Sequence, residues 1–187
     1  FRSLLTSGAA QMHQFYGLPG GAAAGASDSK LPDMQAGWEQ MCSNVLAGLS
    51  GLNMAYEAAG MHASLLGFCH ESLILGNDII GQALRCVRGI EVDDETLALE
   101  QMKEVCLGGS GHYLGTDATL SRMEQDHVYP TMGDRTSPKE WAEKGKPDLI
   151  ERATAMKERV LSERAPAWFD PATDAAIRER FRIHLPG

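Results

Sequence analysis

Polar residues that could do chemistry follow two short apolar runs of the sequence. Residues 27–30 (Ser-Asp-Ser-Lys) come directly after the glycine- and alanine-rich run 21–25, and Asp33 lies just beyond them. Glu57 follows Tyr56 at the end of the second run. In parallel α/β folds the working side chains lie where strands end and loops begin. Both places are therefore candidates for a binding or catalytic site.

Each of these residues also has a structural interpretation. Asp28 and Asp33 precede a helical segment, and capping of that helix is favoured over a substrate contact. Lys30 stands in a charge-poor stretch, where it either pairs with one of these carboxylates or binds an anionic substrate group. Glu57 either lies at the surface or holds a cation. Tyr56 alternates to the opposite face if the strand continues, so the two residues need not act together.

Two further groups could contribute to such a site. His70 and Glu71 could transfer protons or contact a substrate, and a solvent-facing helix start explains them equally well. Tyr113 follows the glycine-rich segment 108–111, which either closes over a site or forms a long connection. That segment lacks the glycine spacings of nucleotide-binding loops, and the chain has neither G-x-S-x-G nor H-E-x-x-H. Classical serine-hydrolase and zincin chemistry are excluded.

The cysteine spacing does not indicate a metal site. There are four cysteines and no C-x-x-C pair. Cys69, His70 and Glu71 form the single cluster of potential ligands, but adjacent helical residues diverge by about 100°, so neighbours seldom bind one ion. We therefore predict that this chain binds no metal directly, and that its thiols are reduced, as in a cytoplasmic protein.

Composition excludes several classes of partner. The chain has 187 residues, a net charge of −8, a pI near 5.2 and 43% hydrophobic residues. The acidic balance argues against binding nucleic acid or an anionic membrane. The uncharged run 3–27 contains Gln, His, Pro and many Gly residues, which predicts neither a membrane span nor a signal peptide.

Hydrophobic periodicity and turn residues predict the elements that position these side chains. In the first half we expect a helix over 3–16, strands over 21–25 and 52–56, a helix over 33–49, and a further helix ending at Gly89. The helix over 33–49 should bury its apolar stripe, which includes Met34, Trp38, Cys42 and Leu49. Strands and helices that alternate in parallel register predict an α/β layer, either a barrel or a doubly wound sheet.

The second half reads as a series of capped, highly charged helices. Asp93 is predicted to cap a single helix that ends at Gly108, and Ser137 begins a capping box with proline at the first helical position. Pro147 and Asp170 are predicted to begin the last two helices. The chain itself opens on Phe1 within an uncapped helical run, from which we expect it to be the C-terminal portion of a longer chain.

Three segments together resemble the C-terminal part of the trimethylamine methyltransferase family. They are residues 27–39, 89–98 and 109–113, in the same order, within a resemblance that runs from about Phe15 to Arg164. The resemblance implies the C-terminal part of a TIM (β/α)8 barrel followed by extra C-terminal helices. On that basis residues 1–90 are expected to form the βα units. Residues 91–187 would form a charged helical layer packed on them rather than an independent domain.

The family resemblance also implies an activity. Its members move a methyl group from a methylated amine to Co(I) of a corrinoid carried by a separate protein. Founding members hold pyrrolysine inside the barrel, whereas relatives with an ordinary residue there are similar to glycine betaine methyltransferases. The resemblance places this position in the run before Ser27, with Gly25 as the expected equivalent, and a quaternary amine of the betaine type is therefore the expected substrate.

Site roles follow from this resemblance combined with residue type. We expect Gly25 and Glu57 at the catalytic position, with Lys30 meeting the carboxylate of a betaine. Four further residues are expected at the substrate, namely Tyr56, Phe68, His70 and Tyr113. Asp28 and Asp33 are expected to serve either as caps or in the site.

Two alternative functions remain open from the sequence. The chain could be a non-catalytic barrel fragment that only packs or docks a partner. It could also belong to a barrel enzyme of another chemistry, such as a decarboxylase. The expected partners are the corrinoid protein and a small methylated amine, and a homo-oligomer is compatible with the small-residue helices and charged tail.

Overall fold

A computed structural model describes residues 2–163 and 169–182, which leaves Phe1 outside the described part. The chain divides into two compact units, residues 1–157 and 158–187. Nine α-helices and four short strands occur in the described residues. The helices are α1 (Arg2–Phe15), α2 (Met34–Leu49), α3 (His70–Arg88), α4 (Asp94–Leu97), α5 (Leu99–Cys106), α6 (Asp117–Asp126), α7 (Pro138–Glu143), α8 (Leu149–Ser162) and α9 (Pro171–Arg180). The strands are β1 (Gly21–Ala23), β2 (Met54–Tyr56), β3 (Met61–His62) and β4 (Gly67–Phe68).

A parallel β-α-β unit forms the first part of the fold. β1 pairs with β2 in parallel, with Gly21 opposite Met54 and Ala23 opposite Tyr56, and α2 connects the two strands. The helix α2 packs mainly on α3, and α1 packs on α2. These pairings confirm the predicted helix-rich α/β class. The described residues contain two-stranded sheets and no closed barrel, so the barrel itself stays a prediction.

The buried face of α2 differs from the predicted apolar stripe. Its buried residues are Ala36, Gln40, Asn44 and Ala47. The predicted inward residues Met34 and Trp38 are instead exposed, and the stripe prediction is wrong. Small and polar side chains occupy the buried face because the backbone of the β1 and β2 loops approaches the helix closely. Periodicity identifies the apolar face of a helix, but it does not show whether that face or another one packs against the rest of the protein.

Most helix ends follow the predicted capping. Asp93, Ser137 and Asp170 each accept a backbone hydrogen bond as the N-cap of α4, α7 and α9. The single helix predicted over 93–108 is wrong, because Ala98 adopts a left-handed conformation (φ 47°) that separates α4 from α5. An antiparallel hairpin of β3 and β4 was also absent from the sequence prediction.

Three side chains spaced seven residues apart on α3 bind the second half of the first unit. Glu71 Oε1 forms an ion pair with Lys157 Nζ of α8 at 2.6 Å. Asp78 accepts hydrogen bonds from the backbone N–H groups of residues 131–133 at 2.7–3.0 Å. Arg85 donates to the Asp126 carbonyl at 2.8 Å. Residues at this spacing share a helix face, and we call Glu71, Asp78 and Arg85 the α3 anchors.

The second unit contains the end of α8 and the helix α9. Pro171 occupies the first turn of α9, where its missing N–H group leaves no intrahelical hydrogen bond unmade. Within the helix, Arg178 donates to Asp174 at 2.7 Å. The Arg180 guanidinium lies 5.6 Å from the ring centre of Phe181, which ends the helix.

Candidate functional site

The loop after β1 is fastened to α2 by the carboxylate of Glu39. Ser27 donates its hydroxyl to Glu39 Oε2 at 2.6 Å, and the Asp28 backbone N–H donates to the same oxygen at 2.9 Å. Gln35 donates to Oε1 at 3.0 Å. Ser27 is almost fully buried. One carboxylate therefore fixes the start of the loop 27–30 that carries Asp28 and Lys30.

Hydrogen bonds keep Glu39 in its charged form. Burial alone would raise the pKa of Glu39, but the donors on Ser27, Gln35 and the Asp28 backbone together lower the pKa below its usual value. An ionised carboxylate accepts stronger hydrogen bonds than a neutral one. Glu39 was not predicted as a site residue, although it lies at the end of the segment 27–39 that carries the family resemblance.

His62 of the β3–β4 hairpin holds the same loop from the other side. His62 is 3% exposed, with Nδ1 at 3.3 Å from the Ser29 carbonyl and Nε2 at 2.5 Å from Ser72 Oγ. A carbonyl can only accept, so Nδ1 carries a proton, and in the neutral ring Nε2 then accepts from the Ser72 hydroxyl. His62 was not predicted as a site residue, because strands of two residues leave no periodic signal in the sequence.

Backbone strain is concentrated near this loop. Ala63, Ser64 and Leu65 adopt left-handed conformations in succession, with φ of 49°, 55° and 73°. A left-handed residue other than glycine costs roughly 1–2 kcal/mol. Ser64 donates its hydroxyl to Asp28 Oδ1 at 2.7 Å. Strain of this kind persists where surrounding contacts impose it, and it is typical of ligand and catalytic sites.

Gly25 lies where a side chain has no room. Its φ is 81°, and its N–H donates to Ser43 Oγ at 2.9 Å. A Cβ at this position would overlap the carbonyl of Ala58 and lie 2.7 Å from Asn44 Nδ2. Close packing of the β1 and β2 loops therefore explains the glycine. Its correspondence to the pyrrolysine position stays a prediction.

The structure separates the two capping candidates. Asp33 is the N-cap of α2 and accepts from the Ala36 backbone at 3.0 Å, and this hydrogen bond is the main cause of its lowered pKa. Asp28 is not a cap, because its carboxylate accepts from Ser64 instead. The favoured capping interpretation is confirmed for Asp33 and wrong for Asp28. Lys30 donates to the Asp28 backbone carbonyl at 2.9 Å, so the predicted pairing with a neighbouring carboxylate is not what the structure shows.

Glu57 and Tyr56 lie together at the end of β2. Tyr56 is 49% exposed, and its carbonyl accepts from the Ala24 backbone at 3.0 Å, which extends the pairing with the β1 segment. Glu57 is exposed and left-handed, with φ 56°. This conformation ends the strand and turns the Glu57 side chain out of the regular alternation.

The remaining candidates are divided between two places. Phe68 and His70 form an edge-to-face pair with ring centres 5.2 Å apart at the start of α3. Tyr113 contacts Cys106, with Oη 3.5 Å from Sγ, and this hydrogen bond raises the pKa of the Tyr113 hydroxyl. Its described hydrogen bonds reach only residues 106–119. Closure of the glycine-rich loop over the site stays a prediction.

A cleft of about 340 Å³ adjoins the end of β1 between α1 and α2. Gly25, Asp28 and Glu39 line it together with Trp38 and Cys42. Its volume lies in the range of small-molecule sites. Of the sequence candidates, the cleft brings together Gly25 and Asp28. Trp38 was missed as a lining residue because its position was taken for the buried face of α2.

The described residues contain neither a cluster of metal ligands nor a membrane-spanning helix. Across residues 2–163 and 169–182, no group of three or more His, Cys, Asp or Glu side chains is placed to hold a metal ion. Cys69 donates to Glu71 Oε2 at 3.3 Å, and the four cysteines are free thiols. None of the described helices combines the length and apolar character needed to cross a membrane.

A parallel β-α-β unit with polar loops after both strands is the arrangement with which α/β proteins build ligand sites. This chain belongs to the trimethylamine methyltransferase family, whose family model, described as "Trimethylamine methyltransferase (MTTB)", matches residues 2–183. The match confirms the resemblance and extends it beyond the predicted limits at both ends.

Curated relatives agree with this membership. The chain is 31% identical over 176 residues to glycine betaine methyltransferase of Desulfitobacterium hafniense (strain Y51), which covers 94% of this chain and 36% of the relative. It is 36% identical over 158 residues to trimethylamine methyltransferase MttB of Methanosarcina barkeri (strain Fusaro / DSM 804), covering 84% of this chain and 31% of that relative. The chain thus spans about a third of the length of the curated relatives it matches.

Proposed function

We propose that this chain is part of a methyltransferase that moves a methyl group from a betaine-type quaternary amine to Co(I) of a corrinoid protein. Membership of the trimethylamine methyltransferase family carries the proposal. Relatives of similar resemblance are named for glycine betaine and for trimethylamine, so the family alone does not choose the amine. The choice of a betaine depends on the glycine expected at the pyrrolysine position.

The proposed reaction needs little from the protein beyond positioning. The methyl group passes to the Co(I) acceptor as a cobalt–carbon bond forms, and the nitrogen keeps the electron pair of the broken C–N bond. The leaving group is a neutral tertiary amine, so no general acid is required. The protein must hold the methyl group in line with its acceptor and exclude water, which is a proximity effect.

Charge placement supports a zwitterionic substrate. Lys30 is exposed, and among the residues that the structure describes it donates only to a backbone carbonyl, so its positive charge remains available to the carboxylate of a betaine. Glu57 is exposed at the end of the neighbouring strand and would face the ammonium group. Tyr56, Phe68, His70 and Tyr113 keep their proposed roles at the substrate, where aromatic faces attract a quaternary cation.

Methylation of free cob(I)alamin by a panel of amines tests the proposal, with the whole protein that contains this chain as the enzyme. We expect glycine betaine to react faster than trimethylamine. The variants Lys30→Ala and Glu57→Gln should each raise KM at least tenfold, whereas the exposed controls Lys139→Ala and Glu124→Gln should leave it unchanged. Absence of methylation with every amine would refute the methyltransferase, and a preference for trimethylamine would refute the betaine assignment.

A docking role without catalysis is the competing proposal, and one observation favours it. Large apolar side chains are exposed on the first unit, among them Leu66 at 90% and Ile90 at 87%. Exposed apolar side chains favour a surface that another chain or segment covers. The variants in the same assay separate the two functions, because Lys30→Ala and Glu57→Gln should leave KM of the whole protein unchanged if this chain only docks a partner. The assay also tests barrel enzymes of other chemistry, such as a decarboxylase.

A further inference from the structure

We infer that His62 is a positioning residue for the loop 27–30. The substrate that the loop would bind is taken from the proposed function. The contacts of His62 do not depend on it. His62 connects the Ser29 carbonyl, which lies one residue before Lys30, to the Ser72 hydroxyl on α3. The position of Lys30 is therefore set by α3 through a histidine that does not touch the substrate.

The contacts around His62 are buried and directional. Ser29 is 5% exposed and Ser72 is 2% exposed, so water does not compete for either hydrogen bond. The Ala63 backbone N–H donates to the same Ser29 carbonyl at 2.9 Å, which gives that oxygen two donors. Buried hydrogen bonds that satisfy every partner fix a single local conformation.

The opposite side of the loop is fixed as well. The Ser29 backbone N–H donates to Ser27 Oγ at 2.9 Å, and Ser27 Oγ in turn donates to Glu39. Hydrogen bonds thus run continuously from Ser72 through His62, Ser29 and Ser27 to Glu39. The loop that carries Lys30 is held between α3 and α2, and His62 makes the α3 link.

The contact between His62 and Ser72 also resembles a nucleophile and its base, since Nε2 lies 2.5 Å from Oγ. Burial excludes that role. A nucleophile must reach a substrate carbon, and the Ser72 hydroxyl is enclosed on α3. A backbone carbonyl, rather than a carboxylate, accepts from Nδ1. The arrangement positions the loop and does not activate an attacking group.

Two substitutions of His62 separate the contacts. In the same pocket the amide of Asn reaches the place of Nδ1, and the amide of Gln reaches the place of Nε2. His62→Asn should therefore keep the hydrogen bond to Ser29 and lose the one to Ser72, whereas His62→Gln should do the reverse. Both remove the imidazole ring, so each controls for the loss of packing caused by the other.

Hydrogen exchange of the intact chain measures the effect on the loop. In His62→Gln the amides of residues 28–31 should exchange about tenfold faster than in His62→Asn. Loss of a buried hydrogen bond lowers the free energy of local opening by about the amount that gives this factor. Equal exchange in the two variants would overturn the inference. His62→Asn and Ser72→Ala each lose only the α3 link, so both should exchange severalfold faster than the parent, and unchanged exchange in Ser72→Ala would overturn the inference even if His62→Gln does not fold.

Kinetics then connect the loop to the substrate. His62→Gln should raise KM for glycine betaine severalfold with kcat unchanged, and His62→Asn should restore KM toward the parent value. A uniform loss of kcat in both variants would indicate a general structural role and contradict positioning. If the parent protein methylates nothing, the proposed function fails, but the exchange measurement still decides the role of His62.

Discussion

At the scale of single residues, side chains of the site hold backbone groups of the loop 27–30. Glu39 accepts from the Asp28 N–H, and His62 donates to the Ser29 carbonyl. Lys30 follows the same pattern through the Asp28 carbonyl. Such contacts fix where the loop runs while leaving the Lys30 charge free, which is what a substrate site requires of its scaffold.

Gly25 gives the first prediction at this scale. Gly25→Ala combines a strained φ with overlap against the Ala58 carbonyl, so we expect the free energy of unfolding to fall by about 3 kcal/mol or more. Gly8→Ala is the matched control, because a Cβ at Gly8 of α1 meets nothing within 4 Å. That variant should gain about 0.5–1 kcal/mol from helix propensity.

Urea unfolding of the two glycine variants provides the measurement. A Gly25→Ala protein as stable as the parent would show that the β1 and β2 loops are not packed as the structure describes.

At the scale of elements, α3 joins the β-α-β unit to the helices that follow it. Its anchors bind three separate segments. Glu71 binds a side chain of α8, Asp78 binds the backbone of residues 131–133, and Arg85 binds the end of α6. A half-buried ion pair, or a carboxylate with three N–H donors, holds position better than a fully exposed pair. These contacts join residues 126–157 to α3, and the predicted helical layer over residues 91–187 stays a prediction.

The ion pair of Glu71 gives a pH-dependent prediction. The hydrogen bond from Lys157 is the main cause that lowers the pKa of Glu71 from 4.5 to about 2. A lowered carboxylate pKa stabilises the fold above the unfolded pKa, and the contribution is lost as pH falls from about 4.5 through 2. Glu71→Gln should therefore cost roughly 2 kcal/mol at pH 7 and progressively less as the pH approaches 2.

Unfolding curves at pH 7, 4 and 2.5 test this dependence, with Glu124→Gln as the exposed control. A Glu71→Gln penalty that is the same at all three pH values would mean that its charge does not contribute to stability.

The elements differ in how far the sequence predicts them. Caps at Asp33 and Ser137 were predictable because their signal lies within four residues. The hairpin that presents His62 was not, since its strands are two residues long and its partners lie 33 and 10 residues away. The burial of Gln40 in place of Trp38 could not be predicted either, because it runs against the hydrophobicity of the two side chains. Of the candidate site, the loop 27–30 was predictable and the residues that hold it were not.

At the scale of the whole molecule, several large apolar side chains are exposed on a chain that carries a strongly negative net charge. Leu66, Ile90, Leu107 and Met34 are each at least 80% exposed. Within the described residues β1 and β2 form a two-stranded parallel sheet, a kind that is usually covered on both faces and extended at its edges. The net charge of −8 opposes association of such surfaces at neutral pH.

This balance predicts self-association that depends on pH. Repulsion between copies vanishes near the pI of about 5.2, so sedimentation velocity should show larger species at pH 5.2 than at pH 7.5. Added salt at pH 7.5 should act in the same direction by screening the charge. A sedimentation coefficient that is independent of both pH and salt would contradict the prediction.

The α3 anchors also determine how the molecule would respond to a protease. Residues 107–115 are exposed throughout, which makes this glycine-rich segment the natural place for a first cleavage. The anchors bind residues 126–157 from the other side of that cut, so a nicked molecule would keep its two fragments together without covalent continuity. The chain could also be divided at this segment, and the two fragments expressed separately should recover the fold when they are mixed.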